Sequence, residues 1–300
     1  MADDNVIEID FDEEEKAEVL DTSAVNIPQQ AGVPTSMTVG VLGTNSIAKS
    51  INIMFACSNS RNTVNVVEYT DIDEMTSDQT NAIAFVCLDA KLVKDDLFDD
   101  AEIVDACSKI AKHTRASVVL KTTVPYTTIE KILAIVNPDR FVYAPEIASE
   151  DNLDEILRSD IAFVGGTAKS SPAYLRLLNG GSVFERKIVA GTTIDIALAK
   201  AAAVGLKAVT QTYWNQIYDY VQESQVGNYN TVKKAVGTIK EDVLNSIPTF
   251  VRAKAEEGVS YKKAKSFAGE FANTDVKILA SMTDKLTLLD ECINIKNLKD

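Results

Sequence analysis

The sequence has one histidine and four cysteines in 300 residues, and these low counts exclude several kinds of site. The cysteines lack paired CxxC spacing, and with His113 alone beside them neither a zinc centre nor a Ser-His-Asp triad is expected. The cysteines are Cys57, Cys87, Cys107 and Cys292. The first three lie in apolar segments, so the sequence predicts buried free thiols in a reducing compartment and no metal site.

Long apolar runs and an excess of basic residues are also missing. No hydrophobic segment approaches the ~20 residues of a transmembrane helix, and the N-terminus has no signal-peptide pattern. A net charge of −14 opposes binding to the phosphates of nucleic acid. We therefore expect neither a membrane nor a nucleic acid as a partner.

Acidic residues are concentrated at the N-terminus. Residues 1–21 hold ten carboxylates and one lysine, which places −9 of the net charge in this segment. Such a block is typical of a disordered tail, yet Ile7, Ile9 and Phe11 alternate with acids as in a strand with one apolar face. A disordered tail and an arm that adds as a strand to a partner's sheet both remain open. Residues 22–36 are interpreted as a linker, which completes an N-terminal segment of residues 1–36.

Short apolar strands alternate with helices through residues 37–190. The predicted strands are 38–43, 63–69, 83–88, 117–121, 140–143 and 161–165, and the predicted helices are near 47–57, 101–113 and 128–136. Uninterrupted runs of Val, Ile, Leu and Ala are typical of parallel strands that are buried on both faces. The sequence therefore predicts an α/β protein with an N-terminal Rossmann-like, doubly wound sheet.

One long helix is predicted from Thr192 to Gln225. Thr192 and Asp195 are typical of a helix N-terminus, since a hydroxyl caps the free amides and a carboxylate suits the positive end. An apolar stripe follows the helical period: Ile194, Leu198, Ala202, Leu206, Val209, Tyr213, Ile217 and Val221. Only helices are predicted beyond it, including one at 231–247, so residues 191–300 are expected to form a helical domain built on this long helix.

The turn after the first strand is the expected place for a dinucleotide. The fingerprint G-x-G-x-x-G corresponds to residues 43–48 (GTNSIA), in which Gly43 supplies the tight turn and Ala48 is an accepted third residue. Asn45 replaces the second glycine, and its side chain would stand where the pyrophosphate approaches the backbone. Glu68, at the end of the second strand, suits a ribose hydroxyl. Functional NAD binding and a relic of the fold both remain open.

Four segments, in order, resemble motifs of the UDP-glucose (nucleotide-sugar) dehydrogenase family. Residues 122–128 (TTVPYTT) resemble its S-T-V-P-P-G-T turn, and residues 143–150 (YAPEIASE) resemble its N-P-E-F-L-R-E-G segment. Lys200 followed by Asn215 resembles the helix in which a catalytic lysine precedes an N-E pair. Residues 267–275 (FAGEFANTD) resemble F-G-G-x-C-F-P-K-D. The resemblance covers about residues 37–300.

This resemblance implies two hydride transfers to NAD through a thiohemiacetal on cysteine. The positions that match polar members of the family's site are Thr123, Glu146, Glu150, Lys200 and Asp275. Three positions do not match, because Phe271 replaces the nucleophilic cysteine, Val204 replaces an asparagine and Thr274 replaces a lysine. Without a thiolate the covalent mechanism is lost. The matching residues are therefore interpreted as structural, with Lys200 expected to form a buried ion pair with Glu146 or Glu150.

The leading hypothesis is a truncated, non-catalytic relative of this family, because the chain ends at Asp300 where the family's UDP-sugar domain would follow. It would be a structural or interaction subunit of a virion or another large assembly, in the cytoplasm or in a particle assembled there, and not secreted. A homodimer or higher homo-oligomer through the 192–225 helix is expected, with a protein partner for residues 1–21. No cofactor is expected, or NAD if any. The alternatives are an NAD-dependent UDP-glucose 6-dehydrogenase-like oxidoreductase with Lys200 as the base, and a nucleotide-sensing module.

Overall fold

Strands and helices alternate through the computed structural model, which describes residues 35–56, 62–89, 91–92, 98–146, 153–182, 186–225 and 227–239. The strands are β1 (Thr35–Leu42), β2 (Asn62–Tyr69), β3 (Ile83–Val86), β4 (Lys91–Leu92), β5 (Phe98–Asp99), β6 (Ser117–Leu120), β7 (Phe141–Tyr143), β8 (Ile161–Gly165) and β9 (Lys187–Gly191). The helices are α1 (Ser46–Ala56), α2 (Ile72–Ser77), α3 (Ala101–His113), α4 (Tyr126–Leu133), α5 (Leu153–Arg158), α6 (Ser171–Gly181), α7 (Thr193–Ser224) and α8 (Tyr229–Ile239).

Seven of the strands form one sheet in the order β2-β1-β3-β6-β7-β8-β9. The first five run parallel, as predicted. β8 is the strand predicted at residues 161–165, but it pairs antiparallel with β7, and β9, which the sequence did not predict, runs parallel to β8. The strand order reverses between β1 and β3, and in a doubly wound sheet the crevice for a ligand lies at such a switch point. The α/β, Rossmann-like prediction is confirmed.

The central strands β3, β6 and β7 are buried on both faces, which is why they are almost continuously apolar. Phe85 and Val119 belong to a core layer with α1, α5 and α6. Their neighbours Val86 and Leu120 belong to the opposite layer, with α3, α4 and the start of α7. Successive residues of a strand point to opposite faces, so each central strand stabilises both layers.

The helix α7 is continuous over 32 residues. Thr192 is its N-cap, and the Thr192 and Asp195 side chains form a reciprocal capping box, as the sequence predicted. The apolar stripe is not the face that packs on the sheet, because Leu198, Leu206 and Tyr213 are exposed. The buried face instead combines small residues with polar ones. The division into domains at residues 190 and 191 is a separate matter and stays a prediction.

The sequence predicted neither a membrane-spanning helix nor a metal site, and the described part of the chain can be compared with both predictions. Among its helices none is both long and apolar enough to cross a membrane. Within the same residues no group of His, Cys, Asp and Glu side chains could hold a metal ion. Cys87 and Cys107 are buried thiols that form no disulfide among the described residues, and burial raises the pKa of Cys107 to about 12. Cys57 and Cys292 lie outside the described residues.

Candidate functional site

One edge of the sheet gathers the residues that the sequence singled out. The carboxyl ends of β1, β3, β6 and β7 open there, since these strands run parallel. The residues that follow them are Gly43 after β1, Cys87 after β3, Thr123 after β6 and Glu146 after β7. The antiparallel direction of β8 and β9 brings Arg186, just before β9, to the same edge. Two clusters result, one at the switch point and one beyond β7.

The switch-point crevice is closed tightly by the β1–α1 turn. Gly43 has a φ of 124°, a conformation that favours glycine. A Cβ atom added to Gly43 would lie 2.2 Å from the carbonyl oxygen of Cys87. The turn therefore lies directly on the end of β3, and the first glycine of the fingerprint has its expected role.

The Asn45 side chain connects this turn to both neighbouring elements. Its Oδ1 atom accepts a hydrogen bond from the Ala48 amide at 3.0 Å, which caps the N-terminus of α1. Its Nδ2 atom donates to the Cys87 carbonyl at 2.8 Å and to the Asp89 carboxylate at 2.9 Å. We call this arrangement the Asn45–Cys87–Asp89 bridge. It fixes the first turn of α1 to the end of β3.

The residues of the crevice do not fit a diphosphate as they stand. A dinucleotide site offers free amides at the helix N-terminus and lets the phosphates approach bare backbone. Here the Ala48 amide is already bonded to Asn45, and the Asp89 carboxylate is held beside it. Glu68 is exposed and accepts a hydrogen bond from Asn52 of α1. The chain's own side chains take the place of the phosphates.

The second cluster is a group of buried charges around Glu146. Lys121 Nζ lies 2.6 Å from Glu146 Oε1, and Arg186 Nη1 donates to Glu146 Oε2 at 3.2 Å. The Lys121, Glu146 and Arg186 side chains are only 3%, 2% and 4% exposed. Arg186 Nη2 also donates to the Ile156 carbonyl at 2.7 Å, and Tyr174 is buried beside Lys121. We call Lys121, Glu146 and Arg186 the Glu146 cluster.

Both partners of the closest pair in this cluster stay charged. Burial disfavours the carboxylate, but the Lys121 and Arg186 charges prevail and lower the pKa of Glu146. Burial disfavours the ammonium group too, yet the Glu146 charge prevails and raises the pKa of Lys121. The predicted buried ion pair at Glu146 therefore exists, but its cations are Lys121 and Arg186. The predicted pairing of Lys200 with Glu146 or Glu150 stays a prediction, because Glu150 lies outside the described residues.

Of the other family-matching residues, Thr123 lies at the same sheet edge as Glu146 and Lys200 lies on α7. Thr123 and Lys200 are buried, and Val204 follows Lys200 by one turn of α7. Asn215 is buried as well, but fifteen residues of helix separate it from Lys200. At about 1.5 Å per residue this is roughly 22 Å, so Lys200 and Asn215 do not share one site. The remaining positions lie outside the described residues: Glu150, Phe271, Thr274 and Asp275.

Sequence reasoning missed Lys121, Arg186 and Asp89 as members of the two clusters. A lysine directly after a continuously apolar strand was a usable signal, because a buried ammonium group needs a counter-ion. Nothing near Arg186 in the sequence indicated its partner, which lies 40 residues away. Asp89 follows β3 at the switch-point edge, where any polar side chain faces the crevice.

Comparison with known proteins identifies the fold. No family model and no curated protein matches the sequence. Among solved structures, UDP-glucose dehydrogenase from the hyperthermophilic archaeon Pyrobaculum islandicum is 13% identical with a TM-score of 0.67, over 91% of this chain and 70% of that one. UDP-D-ManNAc dehydrogenase from Pyrococcus horikoshii is 14% identical with a TM-score of 0.64, over 88% and 69%. GDP-mannose dehydrogenase from Pseudomonas aeruginosa is 13% identical with a TM-score of 0.56, over 88% and 69%. The chain therefore has the fold of nucleotide-sugar dehydrogenases, as its motifs predicted.

Proposed function

We propose that the chain is a non-catalytic protein on the fold of nucleotide-sugar dehydrogenases and serves as an interaction subunit of a larger assembly. The observation that carries this proposal is the state of Glu146, which matches a polar member of the family's site. Both of its oxygens contact buried cations, and its pKa is lowered. A general base works best with a pKa near the working pH, so this carboxylate is a poor one.

The substitutions in the family's motifs support the same proposal. Phe271 offers no lone pair for attack on a carbonyl carbon, and Val204 offers no amide to stabilise an oxyanion. Losing the covalent nucleophile costs orders of magnitude in rate. A slow version of the family's reaction is therefore a poor explanation for the chain.

An interaction role is supported by the exposed face of α7. Leu198, Leu206, Tyr213 and Tyr220 are 48%, 65%, 54% and 66% exposed. They lie within about 80° of one another around the helix, because their spacings follow its period. An aligned apolar face on a long helix is suited to a second copy of the chain. The acidic segment 1–21 is proposed to engage a further protein partner.

An NAD-dependent oxidoreductase with Lys200 as its base is the second candidate. It is favoured by the burial of polar side chains on α7, among them Lys200, Gln211 and Asn215. Buried ionisable and polar side chains gathered on one element are a feature of active sites.

An assay of NADH formation with UDP-glucose and NAD, combined with calorimetric titration of both compounds, distinguishes these functions. We expect no NADH formation. We also expect that deleting residues 1–21 abolishes the complex with the protein partner, while an unchanged circular dichroism spectrum shows that the chain is still folded. Turnover that disappears in Lys200→Ala would establish the oxidoreductase. Lys207→Ala is the matched control, since Lys207 is an exposed lysine of the same helix. Micromolar NAD binding without turnover would favour a nucleotide-sensing module instead.

A further inference from the structure

We propose that the Asn45–Cys87–Asp89 bridge closes the dinucleotide crevice, and that removing the Asn45 side chain is enough to restore binding of NAD. This goes beyond the proposed lack of catalysis, because a protein without a nucleophile can still bind a dinucleotide. It assigns the loss of cofactor binding to one side chain and its two partners.

The first step concerns the helix N-terminus. Free amides in the first turn of a helix bind phosphate, assisted by the positive end of the helix dipole. In α1 the Ala48 amide is bonded to Asn45 Oδ1 at 3.0 Å. The capping oxygen of Asn45 stands where a phosphate oxygen would accept that hydrogen bond. A diphosphate must therefore displace the cap before it reaches the amide.

The second step concerns the neighbouring strand. Asn45 Nδ2 donates to the Cys87 carbonyl and to Asp89 at 2.8 and 2.9 Å. These two bonds hold the amide group across the mouth of the crevice, between the turn and the end of β3. Displacing Asn45 breaks three hydrogen bonds, which the diphosphate would have to replace.

The third step concerns charge. The bridge places the Asp89 carboxylate within hydrogen-bond distance of the Asn45 amide, at the edge where the phosphates would lie. Two negative groups at short distance repel each other, although solvent screens part of this repulsion because Asp89 is exposed. Asp89 therefore opposes a diphosphate even after the Asn45 side chain has moved.

The rest of the turn keeps the geometry of a dinucleotide site. Gly43 has its positive φ and lies on the Cys87 carbonyl. Ala48 is buried, so α1 packs closely on the sheet as the third fingerprint position requires. The obstruction is thus confined to side chains that substitution can remove without rebuilding the backbone.

The test is calorimetric titration of NAD and NADH into the wild-type protein and its variants. We expect a wild-type Kd weaker than about 1 mM, at least tenfold tighter binding in Asn45→Gly, and a further gain in Asn45→Gly/Asp89→Ala. Asn45→Asp is the matched control, because it keeps an acceptor for the Ala48 amide and adds negative charge. It is therefore expected to show no tighter binding of NAD than the wild type. Ile53→Ala, at an exposed position of α1 away from the turn, is expected to leave binding unchanged.

Micromolar binding by the wild-type protein would overturn the proposal, as would an Asn45→Gly variant with an unchanged circular dichroism spectrum that binds no more tightly. Should the glycine variant unfold, Asn45→Ser decides, because serine caps α1 but is too short to bridge to β3. NADH production by the wild-type protein contradicts the proposed function. If folded Asn45→Gly and Asn45→Ser bind NAD no more tightly than the wild type, only the proposal that the bridge blocks binding is contradicted.

Discussion

At the scale of single residues, the Glu146 cluster shows how buried charge is retained in this core. Each charge alone would be costly to remove from water, and together they stabilise one another through contacts of 2.6 and 3.2 Å. The cluster connects the ends of β6, β7 and β9, so it also fixes the outer antiparallel strands to the parallel ones. Such a role would preserve Glu146 without any catalysis.

Replacing the central carboxylate tests this role. Glu146→Gln leaves Lys121 and Arg186 buried without a counter-charge, and we expect the free energy of unfolding to fall by about 3–5 kcal/mol. Urea denaturation at neutral pH measures it. Glu155→Gln is the control, since Glu155 pairs with Lys207 at the surface, and it should cost less than about 1 kcal/mol. Equal, small effects in both variants would contradict a structural role for the cluster.

The pH dependence of the same variant has a definite sign. The pKa of folded Glu146 lies below its usual value of 4.5, so the ionised group stabilises the fold above pH 4.5. This contribution is lost as the pH falls from 4.5 through the folded pKa. The difference in unfolding free energy between wild type and Glu146→Gln should therefore shrink below pH 4.5, as urea denaturation across that range would measure. If the difference in unfolding free energy between the two proteins grew as the pH fell, the lowered pKa of Glu146 would be contradicted.

The residues of the two clusters differ in how far sequence could predict them. Asn45 was predictable because the fingerprint is local and each position has one physical role. Its counterpart Arg186 was not, because Arg186 reaches Glu146 only through the antiparallel pairing of β7 with β8 and the parallel pairing of β8 with β9. Pairings between distant segments leave little trace in a single sequence.

At the scale of elements, α7 shows which features of a helix depend on local sequence and which depend on tertiary packing. Its N-terminus was predictable since a capping box involves residues three apart. Its buried face was not, because the helix buries Lys200, Gln211 and Asn215 while exposing Leu206 and Tyr213. Periodicity identifies an apolar stripe but does not say whether the stripe faces the chain's own core or a partner.

The capping box makes a testable contribution to this helix. Thr192→Ala removes the hydroxyl that accepts a hydrogen bond from the Asp195 amide at 3.1 Å. We expect it to lower the free energy of unfolding by about 1 kcal/mol, measured by urea denaturation. Thr231→Ala, at an exposed position of α8, should change stability by less than about 0.5 kcal/mol. A Thr192→Ala variant as stable as this control would show that the cap is dispensable.

At the scale of the whole molecule, the parallel sheet was predictable, whereas the antiparallel direction of β8 and the strand β9 were not. Uninterrupted apolar strands require helices on both faces, which fixes the α/β class. The short helices α2, α5 and α6 were missed, the first two being only 6 residues long. Such segments show too few helical turns for periodicity to be read, and α6 contains Pro172 and ends on two glycines.

The proposed homo-oligomer follows from the exposed apolar face of α7. The face of α7 with Leu198, Leu206, Tyr213 and Tyr220 offers several large apolar side chains to water on one helix. Large exposed apolar patches mark interaction sites on soluble domains. A second copy presenting the same face would cover it, because a two-fold interface uses one patch twice.

Placing charge on this face should separate the subunits. In Leu206→Glu/Tyr213→Glu two carboxylates meet two more across a two-fold interface, and burying them costs far more than the apolar contacts return. We expect the wild-type protein to sediment as a dimer or larger at micromolar concentration, and the variant as a folded monomer with an unchanged circular dichroism spectrum. Gln222→Glu, at an exposed position on the opposite side of α7, adds charge outside the face and should leave the oligomer intact. A wild-type monomer, or a double variant that still associates, would refute the assignment of this face as the subunit interface.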